Sequence, residues 1–275
     1  MAAVDKAIWY IESHFREDVS LETLADVAGV SRYYLSRIFC YSVGLPVSRY
    51  LRLRRLSEAA QALAAGETNI LDLAVSLGYA SHEAFSRAFK LQFCQTPEQV
   101  RRSGHTRNLS LLEAKRMKQR AEVVLSKPSM ERADTLRICG ISRHYGFEQM
   151  AQIPSQWQAF GPLISRISCA PNPTTYGVIC NSDDSGFDYL SGVLFARDER
   201  LPAETVQLVL EPQTYAVFEH QEHVSSVSAS CAAIWGEWLP GSGKEAVQAP
   251  WFERYGEKFD PMSGDGGLEI WIPIR

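Results

Sequence analysis

Apolar side chains recur at helical spacing through the first ~105 residues of the chain. Val4, Ile8, Ile11 and Phe15 stand three or four apart, and Leu21, Leu24, Ala25 and Ala28 form one face of a second helix. Ser20 has the short hydroxyl side chain that suits a helix start, and Gly29 suits its end. Ser31 opens a third helix. From Pro46 a longer helical pattern runs to about Ala65, before Gly66. The pattern then restarts: Asn69 precedes "ILDLAVSL", Gly78 interrupts, Ser81 precedes "HEAFSRAFKLQF", and a short helix follows Pro97.

Beyond residue 128 the period falls to two, and strands are predicted at "TLRICGIS", "TYGVIC", "FDYLSGVLFA", "VQLVL", "TYAVFEH" and "LEIWIPI". Helical stretches at about 149–167 and 224–239 each lie between strands, which suggests two similar halves. In "GLEIWIPIR", Leu268, Ile270, Ile272 and Ile274 take one face and are expected to cover the helices; Glu269, Trp271 and Pro273 take the other. The expected architecture is an all-α tandem helix-turn-helix (homeodomain-like) domain over 1–107, then a helical linker over 108–128 carrying "NLSLLEAKRMKQRAEVVL". An α+β domain with a largely antiparallel sheet over 129–275 completes it.

The helical part repeats itself. "VSRYYLSRIF" (30–39) and "ASHEAFSRAF" (80–89) align at an offset of fifty, with Ser31 on Ser81, Leu35 on Phe85, Arg37 on Arg87 and Phe39 on Phe89. Upstream, Ser20-Leu21-x-x-Leu24-Ala25 matches Asn69-Ile70-x-x-Leu73-Ala74. Each copy is a capped helix, a glycine turn and a Ser-capped second helix, the layout of a helix-turn-helix unit. Reading helices meet base edges in the major groove with their N-terminal residues. The candidates are Arg32, Tyr33, Ser36 and Arg37 in the first copy and His82, Glu83, Ser86 and Arg87 in the second. Arg suits guanine, whereas Glu83 either accepts from cytosine or caps its helix. Arg49, Arg52, Arg54, Arg55, Lys90, Arg101 and Arg102 are candidate phosphate contacts, several of them equally suited to ion pairs. A central helix of about twenty residues spans ~30 Å, against ~34 Å for a turn of DNA. One chain thus reaches two major-groove segments, and the unlike copies point to an asymmetric site.

Charge sharpens the division. Residues 1–127 carry 18 Lys and Arg against 13 Asp and Glu, or +5, while residues 128–275 carry 10 against 19, or −9, which together give the net −4. The six cysteines form no C-x-x-C pair, as in a reduced, cytoplasmic protein. No apolar run is long enough to span a membrane, no secretory leader is evident, and neither a phosphate loop nor a dinucleotide fingerprint is present. His220-x-x-His223 has metal-like spacing without further ligands, so neither metal nor cofactor is expected.

These motifs carry a resemblance. Residues 1–105, above all "ILDLAVSLGYASHEAFSRAFK" and "TPEQVRR", are similar to the DNA-binding domain of the AraC/XylS transcriptional regulators. The resemblance implies that Tyr33, Ser36, Arg37, His82, Glu83 and Arg87 face double-stranded DNA, and that RNA polymerase is a partner. Relatives often carry Trp and Gln where this chain has Tyr33, His82 and Glu83, so the operator sequence does not carry over. The DNA-binding domain stands first, as in the Rob-like subgroup.

The second part is rich in aromatic side chains beside carboxylates. Tyr145, Tyr176, Trp235, Glu253, Tyr255, Glu269 and Trp271 are the candidate ligand residues, because a carboxylate among aromatic rings suits a cationic, apolar effector. The motifs "YAVFEH", "WGEWLPGSG", "FERY" and "LEIWIPI" resemble the GyrI-like effector-binding domain. That resemblance implies a pseudo-twofold pair of β-α-β units around a groove, with Glu253 in the pocket and Glu269 and Trp271 near it. Sensing of a small molecule by a non-enzymatic regulator is the leading expectation. Hydrolysis of a toxic small molecule by a Glu–Tyr pair, or docking of another protein, are the alternatives.

Overall fold

The computed structural model describes residues 3–66, 69–112, 123–168, 173–183, 186–196 and 201–275. It divides into two compact units, Met1–Phe39 with Leu45–Arg120 and Cys40–Gly44 with Ala121–Arg275.

The first unit is helical: α1 (Ala3–His14), α2 (Leu21–Ala28), α3 (Arg32–Val43), α4 (Val47–Ala64), α5 (Ile70–Ser76), α6 (His82–Phe93) and α7 (Pro97–Ser103). Its ends are set locally, as expected. The hydroxyls of Ser20, Ser31 and Ser81 accept the amides of Thr23, Tyr34 and Ala84 at 3.0, 3.2 and 3.1 Å. Gly29 and Gly78 turn the chain at φ 73° and 78°, where a side chain is disfavoured. Thr96 and Gln99 form a reciprocal cap at the start of α7. The core under the second copy is aromatic, with Phe85, Phe89 and Phe93 one turn apart against Leu56, Leu63 and Val100.

The helix expected over 108–128 falls largely on residues 113–122, which lie outside the described residues. The flanking 108–112 and 123–128 are neither helix nor strand. Instead Leu109 and Leu111 pack on the core of the helical unit, and the Leu112 amide donates to Ser57 Oγ at 2.9 Å.

The second unit is one antiparallel sheet with two helical segments. Its strands are β1 (Ser129–Ala133), β2 (Leu136–Tyr145), β3 (Thr175–Cys180), β4 (Phe187–Leu194), β5 (Val206–Leu210), β6 (Gln213–His220), β7 (Trp251–Tyr255) and β8 (Leu268–Pro273). Helix α8 (Ile153–Ile167) follows β2. Helix α9 (Val227–Ala233) follows β6 and continues into a wider turn over Ile234–Trp238. The sheet order is β1-β6-β8-β7-β3-β4-β2-β5. Exchanging β1 with β5, β2 with β6, β3 with β7 and β4 with β8 reverses this order and leaves it otherwise unchanged. The halves are therefore related by an internal twofold between β3 and β7.

The registers repeat as well. The row Gly140–Gly192–Tyr176 in one half corresponds to Val217–Trp271–Phe252 in the other. The end of β4, where the Phe195 amide donates to the Arg137 carbonyl, matches the end of β8, where Ile274 donates to Thr214.

The connections force the sheet to curl. β1 and β2 are six places apart in the order, ~29 Å in a flat sheet. Yet only Asp134 and Thr135 join them, a reach of about 11 Å. Glu211 and Pro212 join β5 to β6 under the same constraint. The two edges must approach one another, and the face inside the curl becomes a core. Ile138, Tyr176, Val178, Tyr215, Phe252 and Trp271 fill it. Phe252 and Trp271 stack at 5.2 Å, and Tyr215 packs edge-on against both. The outer face carries the helices: Phe160, Leu163 and Ile167 of α8 pack on Cys139 and Val193.

Candidate functional site

The second copy of the helix-turn-helix presents an open reading helix. His82, Glu83, Arg87 and Lys90 are exposed on α6 and Ser86 is half-buried beside them, while Phe85 and Phe89 hold the opposite face in the core. Glu83 has a local task. The Glu83 backbone amide and the Ser81 hydroxyl beside the carboxylate hold its pKa below the usual carboxylate range. An acidic group in the first turn of α6, which Ser81 caps, also suits the helix dipole.

The first copy differs. Arg32 is exposed and lies 3.8 Å from Glu22, both largely in solvent. Ser36 and Tyr33 are half-buried. Arg37, expected to reach outward like Arg87, is only 7% exposed, with its guanidinium 5.4 Å from the centre of the Tyr33 ring. A ring one turn earlier takes the cation by a cation–π contact, where the second copy has Glu83.

Arg54 also departs from its expected phosphate contact. It is 8% exposed. Its Nε and Nη2 donate to the two oxygens of Glu12 on α1 at 2.9 Å each, and its Nη1 donates to the Leu112 carbonyl at 3.0 Å. Tyr50 donates to the same Glu12 at 2.8 Å. Burial works against the Arg54 cation, but Glu12 outweighs it and the pKa is raised. Arg55 is similarly committed to the carbonyls of Phe15 and Glu17, and Arg101 to Glu98. Arg54 and Arg55 tie α4 to α1 and the turn after it, while the Arg101 pair lies within α7. Arg52 and Arg102 remain exposed.

In the sheet unit the carboxylate of Glu253 is the centre of a small polar constellation on the helix-bearing face. Its Oε2 accepts from Tyr255 Oη at 2.7 Å and Tyr189 Oη at 2.9 Å. The indole of Trp157 on α8 donates to Tyr189 Oη at 3.1 Å and packs edge-on against Tyr255 at 5.3 Å. Phe259 lies 4.7 Å from the Tyr255 ring. Burial raises the Glu253 pKa, while the hydrogen bonds from Tyr255 and Tyr189 oppose the rise. Burial, then the Glu253 charge, pushes both tyrosines well above their ordinary value, so they remain hydrogen-bond donors. Among the described residues no Lys, Arg or His side chain forms an ion pair with Glu253. Arg254 instead pairs with Glu269 at 2.8 Å.

Gln156 fixes α8 above the sheet. It is fully buried, and its amide nitrogen donates to the carbonyls of Ile141 at 2.8 Å and Tyr189 at 2.9 Å. Its oxygen accepts from Tyr145 Oη. Every buried polar atom of that side chain is thus engaged, which fixes the turn of α8 that carries Trp157 to the Tyr189 hydroxyl.

The predicted ligand residues therefore split. Glu253 and Tyr255 come together. Tyr145 is spent on Gln156, and Trp235 is fully buried in the turn after α9. Tyr176, Glu269 and Trp271 lie on the other face, inside the curl, where Trp271 donates to Glu269 at 2.8 Å. Alternation along β8 placed its isoleucines on the helix side correctly. The face expected to be the cleft is instead the inner core, because the sheet closes on it. Sequence reasoning missed Trp157 and Tyr189 as neighbours of Glu253. Both were legible only as aromatic supply. The histidine pair serves structure: His220 contacts Ser230 Oγ at 3.0 Å, and His223 contacts the Ser263 carbonyl at 2.9 Å.

Comparisons with known proteins agree with the two-domain fold. Residues 24–103 match a helix-turn-helix domain model and residues 126–275 a GyrI-like small-molecule-binding domain model. The transcriptional regulator Rob of Salmonella typhimurium is 26% identical over 285 aligned residues, covering 98% of this chain and 97% of that protein. The right origin-binding protein of Escherichia coli is 25% identical with the same coverage. The regulatory protein SoxS of Escherichia coli is 36% identical over 98 residues, which are 36% of this chain and 92% of that one. The chain belongs to the Rob-like AraC/XylS regulators: a DNA-binding transcriptional regulator whose second domain is of the GyrI-like small-molecule-binding family.

Proposed function

We propose that the GyrI-like domain senses a small monocationic effector with aromatic or apolar bulk, and that its occupancy changes how the helix-turn-helix domain engages promoter DNA and RNA polymerase. The supporting observation is the Glu253 carboxylate, partly buried among Trp157, Tyr189, Tyr255 and Phe259 and without an ion-pair partner among the described residues. A desolvated carboxylate ringed by aromatic side chains gains from a ligand cation through charge and through the ring faces. Effector control follows if the cation favours one of two states. Two tyrosine hydroxyls on one carboxylate oxygen, with no paired nucleophile, suit binding better than turnover. Product analysis after incubation with electrophilic toxins tests the hydrolytic alternative.

On the DNA side, Arg87 is the principal base reader, with His82 and Ser86 beside it and Lys90 on phosphate. Because α3 and α6 present unlike side chains, each chain takes an asymmetric site. Arg87→Ala is expected to weaken binding to a selected operator by ~1–3 kcal/mol and to relax the preference at one base pair. Lys90→Ala should weaken all sequences alike and reduce the log–log salt slope by about 0.9. Gel-shift titrations across salt separate the two. An unchanged operator affinity for Arg87→Ala removes α6 from the reading role.

A further inference from the structure

We propose that Gly177 is the specificity-determining position of the ligand site: the absence of a side chain there is what allows one carboxylate, that of Glu253, to be held for a single cation. The inference rests on the reading of Glu253 as the cation site.

The internal twofold supplies the first observation. Carrying the matched rows one residue along the strands gives Ile141–Ser191–Gly177 in the first half and Phe218–Ile270–Glu253 in the second. Gly177 and Glu253 thus occupy equivalent positions. They also sit directly opposite one another across the β3–β7 pair. Opposed side chains on one face lie ~5 Å apart, and like charges so placed repel. A symmetric domain cannot keep a carboxylate at both positions without that cost. Here one of the two is empty.

The second observation is steric. Tyr189 stands on β4 and Glu253 on β7, with β3 between them, so the Tyr189 hydroxyl crosses over Gly177 to reach the carboxylate. A Cβ at position 177 would lie 2.1 Å from Tyr189 Oη, 2.8 Å from Tyr189 Cζ and 2.9 Å from Glu253 Oε2. Contacts this short cannot persist. The backbone of Gly177 does not have the positive φ that favours glycine, so the requirement is one of space.

The third is the one-sidedness of the polar groups. The twofold counterparts of Tyr189 and Tyr255 are Leu268 and Ile179, both buried and unable to donate. The hydrogen-bond donors that hold the carboxylate exist in one half only. Gly177 lets them converge on the twofold from that side.

The test uses the full chain, with benzyltrimethylammonium as the cation and neopentylbenzene as its uncharged isostere, both followed by calorimetry or ligand-observed NMR. Gly177→Ala is expected to weaken the cation at least tenfold and the isostere less than twofold. In a Tyr189→Leu background, which removes both the hydroxyl and the ring carbon the new methyl would strike, the same Ala should cost at least fivefold less. Should Gly177→Ala alone fail to fold, recovery of fold by Tyr189→Leu supports the proposal, and failure of the double variant as well overturns it. An equal cost of Ala in both backgrounds also overturns it, as does wild-type affinity in a folded Gly177→Ala protein. If the wild-type chain itself does not bind the cation, the Glu253 reading fails first, and the role of Gly177 with it.

Discussion

Glu253→Gln is expected to weaken a monocationic aromatic ligand by roughly 10- to 100-fold near neutral pH while leaving operator affinity unchanged. Gln keeps the shape and can still accept from Tyr189 and Tyr255. It lacks only the charge, so the loss reports on the ion contact, worth ~1.5–3 kcal/mol for a charge-assisted interaction. The pH dependence follows from the direction of the shift. Burial raises the Glu253 pKa above the ordinary carboxylate value, and the cation prefers the ionised form. Affinity should therefore be full above the raised native pKa and fall as pH drops through it. Without ligand the sign reverses. The native state holds this proton more tightly than the unfolded chain, so the contribution to stability is present below the unfolded value. It declines as pH rises through the raised one. Ligand titrations at several pH values check both statements. Glu253→Gln should flatten the profile, and an identical profile in the variant removes Glu253 from the site.

Glu12→Ala is expected to destabilise the helical unit by ~2–3 kcal/mol, below the 3–5 kcal/mol typical of a fully buried pair because Glu12 retains some exposure. The substitution leaves Arg54 buried with its main counter-charge gone and takes the acceptor from Tyr50 as well. Hydrogen exchange at α1 and α4 amides should register the loss, since these helices share the contact. Replacing Glu12 and Arg54 together by Met removes both charges and should cost less than Glu12→Ala alone. Equal protection in Glu12→Ala and wild type would show that the pair contributes nothing.

Two of the expectations on the helical side failed for different reasons, one local and one distant: Tyr33 stands one turn before Arg37. Arg37 and Arg54 were read as outward because charge usually is, and the partner that draws Arg54 inward stands 42 residues away on α1. Helix caps were legible because Ser20, Ser31, Asn69 and Ser81 act on amides two or three residues on. In the sheet, the strands with clean alternation were found. β1 was not: "SMERA" is polar and lies at an edge, so burial leaves no mark on it. β7 was seen only as a motif, its Glu253 and Arg254 interrupting the apolar run. The sorting of Glu253 from Glu269 onto opposite faces was beyond pattern reading. It depends on β3 pairing with β7, and on a curl set by two-residue connections between opposite edges of the sheet. Gly177 illustrates the limit: in "TYGVIC" it reads as a weak point in a strand, and only the neighbouring tyrosine gives its absent side chain a purpose.

The exchange of edge strands between the halves also has a consequence for folding. β1 belongs by sequence to the first half but pairs only with β6, and β5 belongs to the second but pairs with β2. Neither half has a complete sheet until the other has formed. Such pairings, between segments far apart in sequence, close slowly and raise the cooperativity of the transition. The duplicated domain is therefore expected to melt and exchange hydrogen as one unit, without a stable half. A ligand held at the β3–β7 junction would stabilise both halves together, so its binding energy would appear as protection at strand ends far from the ligand.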